Sequence, residues 1–456
     1  MILISNKYSI YGFRALKRLL FTLYAALLLF PAVVFSQDIT NLGGDLSTDR
    51  PGRFSVQLPA PNIRSDEFFD YHLTGFVEFH RSFALVKLNG KKVLGPRFNH
   101  NSCGGCHTQN GKGKIGFFPR AETSSMIVRV SLPGTEADGS PKQVPGAGGQ
   151  LQDHTIKGKK RYKIRLSWKK RIFKYPDGKR VRLRKPRLTF RIPGLTRRQR
   201  RRIRYSLRMA PPMVGMGLIE AVSEDTLKSL ADPEDQNGDG ISGRINYVMN
   251  KETGTLAVGR FGFKAGQPSV KQQTAAAFFN DMGMTSSLFQ DPRQQQEVSD
   301  DTLNRITFYL QAAGVPIARN QDDPEVKAGK ILFQQIGCNK CHIITLTTGN
   351  SSVVEVANQT FHPFSDLLLH DMGRGLADKH PEFSAKGSEW RTTPLWGLGM
   401  TGVFNKNKPG YLHDGRARTL EEAIIWHSGE AKTSRDNFAK LTKDERSQLI
   451  KFLRSL

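Results

Sequence analysis

The chain has 456 residues, enough for two to four domains at about 100–200 residues each. A hydrophobic share of 38% excludes wholesale disorder and a collagen-like polymer, and four Cys are too few for a disulfide scaffold. The formal net charge is +27, yet residues 157–208 hold 24 Lys/Arg against the single acid Asp177, and residues 1–36 add four more cations, so the remainder of the chain is neutral.

Lys7, Arg14, Lys17 and Arg18 precede an apolar run over residues 19–35 that is broken by Pro31. Compact residues at 34–36 then suit cleavage between Ser36 and Gln37. This pattern predicts a signal peptide over 1–36 and export to the periplasm; left uncut, the same run is a short membrane anchor.

A helix is predicted over residues 65–86, carrying Gly75 and Phe79 in a Gly-x-x-x-Phe pattern. Cys103, Cys106 and His107 follow as one C-x-x-C-H. Two thiols three residues apart can bond the vinyl edge of one porphyrin, and the next residue, His, then sits under the iron. A redox dithiol does not require that His. A zinc ribbon requires its knuckles much closer together than this chain's two Cys pairs.

Residues from about 110 to 250 read as a long insertion. Tyr162, Ile164, Leu166 and Trp168 alternate with cations, Val181 and Leu183 follow, and YPDG at 175–178 supplies a turn. The pattern predicts a β-hairpin with one apolar and one cationic face, then a basic helix over 196–208. The 157–208 charge suits a solvated face or a dock for an anionic partner or membrane surface; an exported chain is not expected to meet nucleic acid. Asp235, Asn237, Asp239 and Gly240, with Ile241 next, match the first half of a Ca²⁺ loop, but the twelfth position is Asn246 rather than Glu. A tight turn fits the same residues.

A helix over 299–313, capped at Ser299, closes the first half, and a boundary falls near 315–324. Gly329 and Phe333 repeat the Gly-x-x-x-Phe pattern before the second C-x-x-C-H, Cys338, Cys341 and His342. Thr419 with Glu422 and Thr442 with Glu445 read as capping boxes, the latter opening a final helix that ends the chain. The expected architecture is mainly α: two cytochrome c-like domains, 37–316 and 317–456, the first with the β-containing insertion. Two covalent haems would be its cofactors, each forming part of a domain core.

More of the chain is specific. GPRFN at 95–99, MAPPM at 209–213, GLIE at 217–220, RFGFKA at 260–265, SDLLLHDMG at 365–373, EWRTTPLW at 389–396 and YLHDGRARTLEEA at 411–423 accompany the two haem sites. In these the chain resembles the di-haem oxidoreductase family, also called thiol-oxidoreductase-like, and more distantly the bacterial di-haem cytochrome c peroxidases. The resemblance implies a redox enzyme of peroxidase type, fed by an electron-donor protein or small redox carrier. Electrons would enter at the C-terminal haem and reach a substrate-reactive N-terminal haem. The alternative is a di-haem electron carrier without small-molecule chemistry.

Sixth ligands separate these readings, because an iron with two strong ligands carries electrons and an open one binds peroxide. For the second haem the candidates are Met372, Met400 and His427. In the resembled peroxidases the ligand lies a fixed step beyond the His-Asp-Gly stretch; from His413 that step ends on His427, which implies bis-His ligation. For the first haem the candidates are Met282, Met284 and His100, with an open position as the alternative. Were it open, His100, Gln267 and Arg260 have the chemistry for proton transfer and charge stabilisation. Asp-Met-Gly occurs at both 281–283 and 371–373, which suggests a structural role in both halves.

Overall fold

Along the chain, helix α1 (Asp66–His80) is followed by strand β1 (Met126–Ser131), strands β2 (Arg165–Lys174) and β3 (Arg180–Thr189), and helix α2 (Arg197–Arg202). Strand β4 (Arg204–Met209) and helices α3 (Asp300–Gln311), α4 (Pro324–Gln335), α5 (Leu420–Trp426) and α6 (Lys443–Ser455) complete the principal elements. The structure, a computed structural model, describes residues 38–50, 57–108, 112–113, 115, 125–157, 162, 164–292, 295–401 and 410–456. The predicted signal segment 1–36 lies outside the described residues. No helix among the described residues is long and apolar enough to cross a membrane.

The Gly-x-x-x-Phe repeat is a packing device used twice. α1 lies on α3, and α4 lies on α6. A Cβ on Gly75 would stand 2.2 Å from the Arg305 carbonyl oxygen, and one on Gly329 would stand 2.2 Å from that of Gln448. Glycine therefore sets how closely each helix pair approaches. One turn later, Phe79 and Phe333 are buried in the shared core. Burying each ring is worth about 1.5–3 kcal/mol.

The caps follow from local chemistry. Ser65 accepts from the Phe68 amide and Ser299 from the Thr302 amide. Thr442 and Glu445 close a full capping box on α6. The box expected at Thr419 is half made: Thr419 accepts from the Glu422 amide, but the Glu422 carboxylate turns to Arg418. A guanidinium in reach outcompetes a single backbone amide.

The insertion has a small core of its own, including Val128, Val130, Leu151, Ile164 and Leu207. β1 and β4 pair antiparallel within it, Met126 opposite Met209. The basic helix expected over 196–208 is thus one short helix, α2, followed by a strand. Ser206, Leu207, Arg208 and Met209 are all buried, so β4 shows no polar–apolar alternation to read.

The hairpin β2–β3 forms as expected around the turn at 175–179, with Lys174 opposite Arg180. Its single apolar face does not. Near the base, Leu166 and Leu188 face the insertion core, while near the tip Phe173, Val181 and Leu183 pack on the main core from the opposite face. The hairpin changes which side it buries halfway along. The tip therefore reaches the C-terminal half and is pinned there. Tyr175 donates to Glu421 (2.9 Å), Lys179 pairs with Glu421 (2.7 Å), and Arg446 pairs with Asp177 (2.6 Å).

Candidate functional site

Each C-x-x-C-H sits on a short turn of helix beside the Phe of its repeat. The His107 amide donates to the Cys103 carbonyl (2.9 Å), and the His342 amide to the Cys338 carbonyl (3.0 Å). Ser102 caps the first turn by accepting from Gly105. His80 and His100 close tightly on it: a Cβ on Gly104 would stand 2.3 Å from His80 Cδ2, and one on Gly105 1.9 Å from His100 Cε1. A side chain at either place would have to displace one of those imidazoles. The Phe79 and His107 rings lie 6.3 Å apart at 54°, and the Phe333 and His342 rings 6.3 Å apart at 55°.

Both histidines are oriented for ligation. His107 Nδ1 lies 3.1 Å from the Pro211 carbonyl, and His342 Nδ1 lies 2.8 Å from that of Phe364. A ring that donates Nδ1–H to a carbonyl offers Nε2 as a ligand. Burial pushes the His342 imidazole down to about 4, so it is neutral, the form that binds iron. The four thiols are free of disulfides, and burial pushes Cys103 and Cys338 up to about 12 and raises Cys106 and Cys341. A redox dithiol has a lowered thiol instead.

The C-terminal cavity, about 260 Å³, is lined by Cys338, Cys341 and His342, and by all three sixth-ligand candidates, Met372, Met400 and His427. His427 caps the end of α5. Its Nδ1 is 2.8 Å from the Ala423 carbonyl, which leaves Nε2, and burial lowers its pKa. On the cavity lining, His370 is clamped between Asp366 (2.8 Å) and Glu430 (2.7 Å). Burial opposes its charge, but these carboxylates, with Cys341 3.8 Å away, raise it to about 12, so it is a buried imidazolium.

The N-terminal cavity is larger, about 1010 Å³, and is lined by Cys103, Cys106, His107, His100, Gln267 and Met282. Met284 is buried outside it. Asp-Met-Gly ends a helical segment in the first half and joins a strand to a short helix in the second; in both its Gly is left-handed (Gly283 φ 65°, Gly373 φ 69°), and one Met lines each cavity. His100 lines the cavity but its Nδ1 accepts from the Asn101 and Ser102 amides (3.1 and 3.2 Å), which fixes the turn. Gln267 accepts from Gln272 (2.9 Å).

Arg260 is a correction. It lines neither cavity, and its guanidinium donates to the carbonyls of Val222 (2.7 Å) and Glu220 (3.2 Å). Among the cations on the cavity lining, Arg129 and Arg208, from β1 and β4, are gathered on Glu382. Arg208 Nη1 is 2.8 Å and Arg129 Nε 3.7 Å from its Oε1, with His380 Nε2 also at 3.7 Å. Burial would raise Glu382; the two arginines prevail and hold it at about 2. No motif announces this group, whose members come from β1, β4 and the loop around 380.

The calcium-like loop closes on itself. Gly240 donates to Asp235 (3.1 Å), Asp239 to Asn237 (2.9 Å) and Ile241 to Asp239 (3.0 Å), while Lys340 Nζ stands 3.2 Å from Asp239. An ammonium on one of the carboxylates suits the turn reading rather than a dication.

The two cavities share a wall made by Met209 to Val214, Phe263 and Arg391 to Trp396. Pro211, whose carbonyl holds His107, is part of it. Trp390 stands on the C-terminal side, stacked on His413 (3.7 Å, 10°) with Lys264 Nζ 4.0 Å over its ring. Two cavities, each with paired thiols on a helical turn and a His whose Nδ1 is held by a backbone carbonyl, fit two haems.

No curated protein and no solved structure matches the chain. A family model described as "di-haem oxidoreductase, putative peroxidase" matches residues 37–295 and again 290–456, nearly the whole chain. With its two haem-fitting cavities, the chain belongs to the di-haem oxidoreductase family.

Proposed function

We propose that the protein is an exported c-type oxidoreductase of peroxidase type, with electron entry at the C-terminal cavity and substrate chemistry at the N-terminal one. In this reading Cys103 and Cys106, and Cys338 and Cys341, hold the haems as thioethers. His107 and His342 are proximal ligands, and His427 completes bis-His ligation in the second cavity. Bound haem supplies the redox chemistry: iron with two strong ligands relays electrons, and iron with an open position binds peroxide.

The observation that carries the assignment is the contrast between cavities that share one wall. The smaller is mostly apolar around His342 and His427, with the carboxylate-clamped His370 on its lining. The larger has a charged group, Arg129, Arg208 and Glu382, on its lining. Arginines fixed around a carboxylate orient an anionic or polar substrate and stabilise charge that develops beside them. The Pro211 segment, held by His107 on one side and lining the other cavity, supplies a short protein path between centres.

The alternative, a di-haem electron carrier, draws on one observation: Met282 is buried and lines the same cavity as His107. Spectra of the holo-protein decide. Half-reduced protein with one high-spin haem that reacts rapidly with H₂O₂ supports the peroxidase reading. Two low-spin haems indifferent to H₂O₂ would replace it with the carrier.

A further inference from the structure

We infer that the tip of the hairpin β2–β3 is the docking platform for an acidic electron-donor protein; this deepens the reading above and rests on electron entry at the C-terminal cavity. The argument starts from strand register. Residues directly opposite share a face. On the solvent face of the tip, Lys174 stands opposite Arg180 and Ile172 opposite Arg182, with Lys170 exposed on the same face. Like charges directly opposite destabilise a hairpin. A fold that keeps such a pair, with Lys170 and Arg182 exposed beside it, gains nothing from it alone, and rule-breaking positions of this kind mark function. Ile172 stands among these cations 67% exposed. An apolar centre within a charged rim is the anatomy of a protein–protein contact rather than of a merely solvated face.

Position supplies the second argument. The tip is fixed in place: besides Glu421 and Arg446, Arg184 donates to the Gly415 and Arg416 carbonyls (both 3.1 Å), and Lys185 to that of Arg374 (3.2 Å). Those anchors straddle α5. Its last residue, Trp426, lies under Arg416 (4.8 Å) and Arg171 (6.0 Å), and the next residue is His427. The platform is therefore rigid and stands over the edge of the C-terminal cavity. A membrane surface would gain nothing from that placement, whereas an electron donor would. Charge complementarity names the partner's chemistry: a small redox protein with an acidic patch around its electron exit.

The test uses the haem-loaded full chain, with a reduced acidic cupredoxin as probe. Stopped-flow reduction should be fast at low salt and fall steeply as salt rises. In a variant with Lys170→Gln, Lys174→Gln, Arg180→Gln and Arg182→Gln, the rate should fall at least about tenfold and lose most of its salt dependence. A control removes equal charge elsewhere: Arg197→Gln, Arg198→Gln, Arg201→Gln and Arg202→Gln on α2, all exposed. It should change the rate less than about twofold. Ile172→Ser should weaken binding while leaving the salt slope intact. Equal effects of the two quadruple variants would overturn the proposal, as would no effect of the first. Salt-sensitive capture by phosphatidylglycerol vesicles with no binding of the cupredoxin would overturn it in favour of a membrane. Reduction by dithionite and haem content separately test the underlying reading. If they fail, calorimetric titration with the cupredoxin still reports whether the tip docks it.

Discussion

The two haem-binding halves share a scaffold and differ in what surrounds it. The same glycine contact, the same 6.3 Å spacing from Phe to His and the same carbonyl lock on Nδ1 recur in each. One His then faces a second His across a small apolar cavity, and the other faces a larger cavity with charge on its wall. What recurs is the frame of paired thiols and a carbonyl-held imidazole. Segments outside the repeat make the cavities differ: α5 places His427 on one lining, and the insertion strands place Arg129 and Arg208 on the other.

The sharpest way to break that contrast is to make the cavities alike. His427→Ala should turn the C-terminal haem from low-spin to high-spin and add a second peroxide-reactive site, read by electron paramagnetic resonance. His427→Met should keep it low-spin and raise its potential on the order of 0.1 V, within the range axial ligands command. A persistent low-spin spectrum in His427→Ala would hand the ligand role to Met372 or Met400.

Next in size is the charge group that only the N-terminal cavity has. Glu382→Ala leaves Arg208 and Arg129 uncompensated and should cost about 3–5 kcal/mol in chemical denaturation. Its carboxyl is held at about 2 in the fold against 4.5 when free. A depressed acid stabilises the folded state above its unfolded pKa, so this contribution, at most about 3 kcal/mol, is complete above pH 4.5 and lost as pH falls toward 2. Glu382→Gln should flatten the stability profile across that window. An unchanged acid limb would show that the arginines do not hold the carboxylate charged.

The shared scaffold predicts parallel losses. Gly75→Ala and Gly329→Ala each push a methyl group into a backbone carbonyl and should each cost about 1–3 kcal/mol, with similar falls in Tm. A loss at one site and none at the other would mean the helix pairs are not equivalent. Smallest are the caps: Ser299→Ala and Thr442→Ala should each cost about 1 kcal/mol in thermal unfolding, the latter slightly more because its box is complete.

Features with short-range causes were legible in the sequence. Cys103, Cys106 and His107, the Gly-x-x-x-Phe repeat, and the caps at Ser299 and Thr442 each depend on residues within about one helical turn. The hairpin turn at 175–178 was equally plain. What its strands bury was not, because that depends on a surface hundreds of residues away. Arg260 has the chemistry of a charge stabiliser, yet three carbonyls of its own neighbourhood claim it. Glu382 and Arg208 have no motif; only the fold brings them to 2.8 Å. Strand β4 read as helix because its polar residues are buried with partners rather than alternating toward water.

The anchored hairpin also has a consequence for how the protein is made. Tyr175 and the Glu421 that receives its hydroxyl are 246 residues apart. As the chain emerges from its N-terminus, the tip is made long before Glu421 and Arg446, the partners that pin it. Until those residues are synthesised, the hairpin has no anchor, and pairing of such high sequence separation forms late.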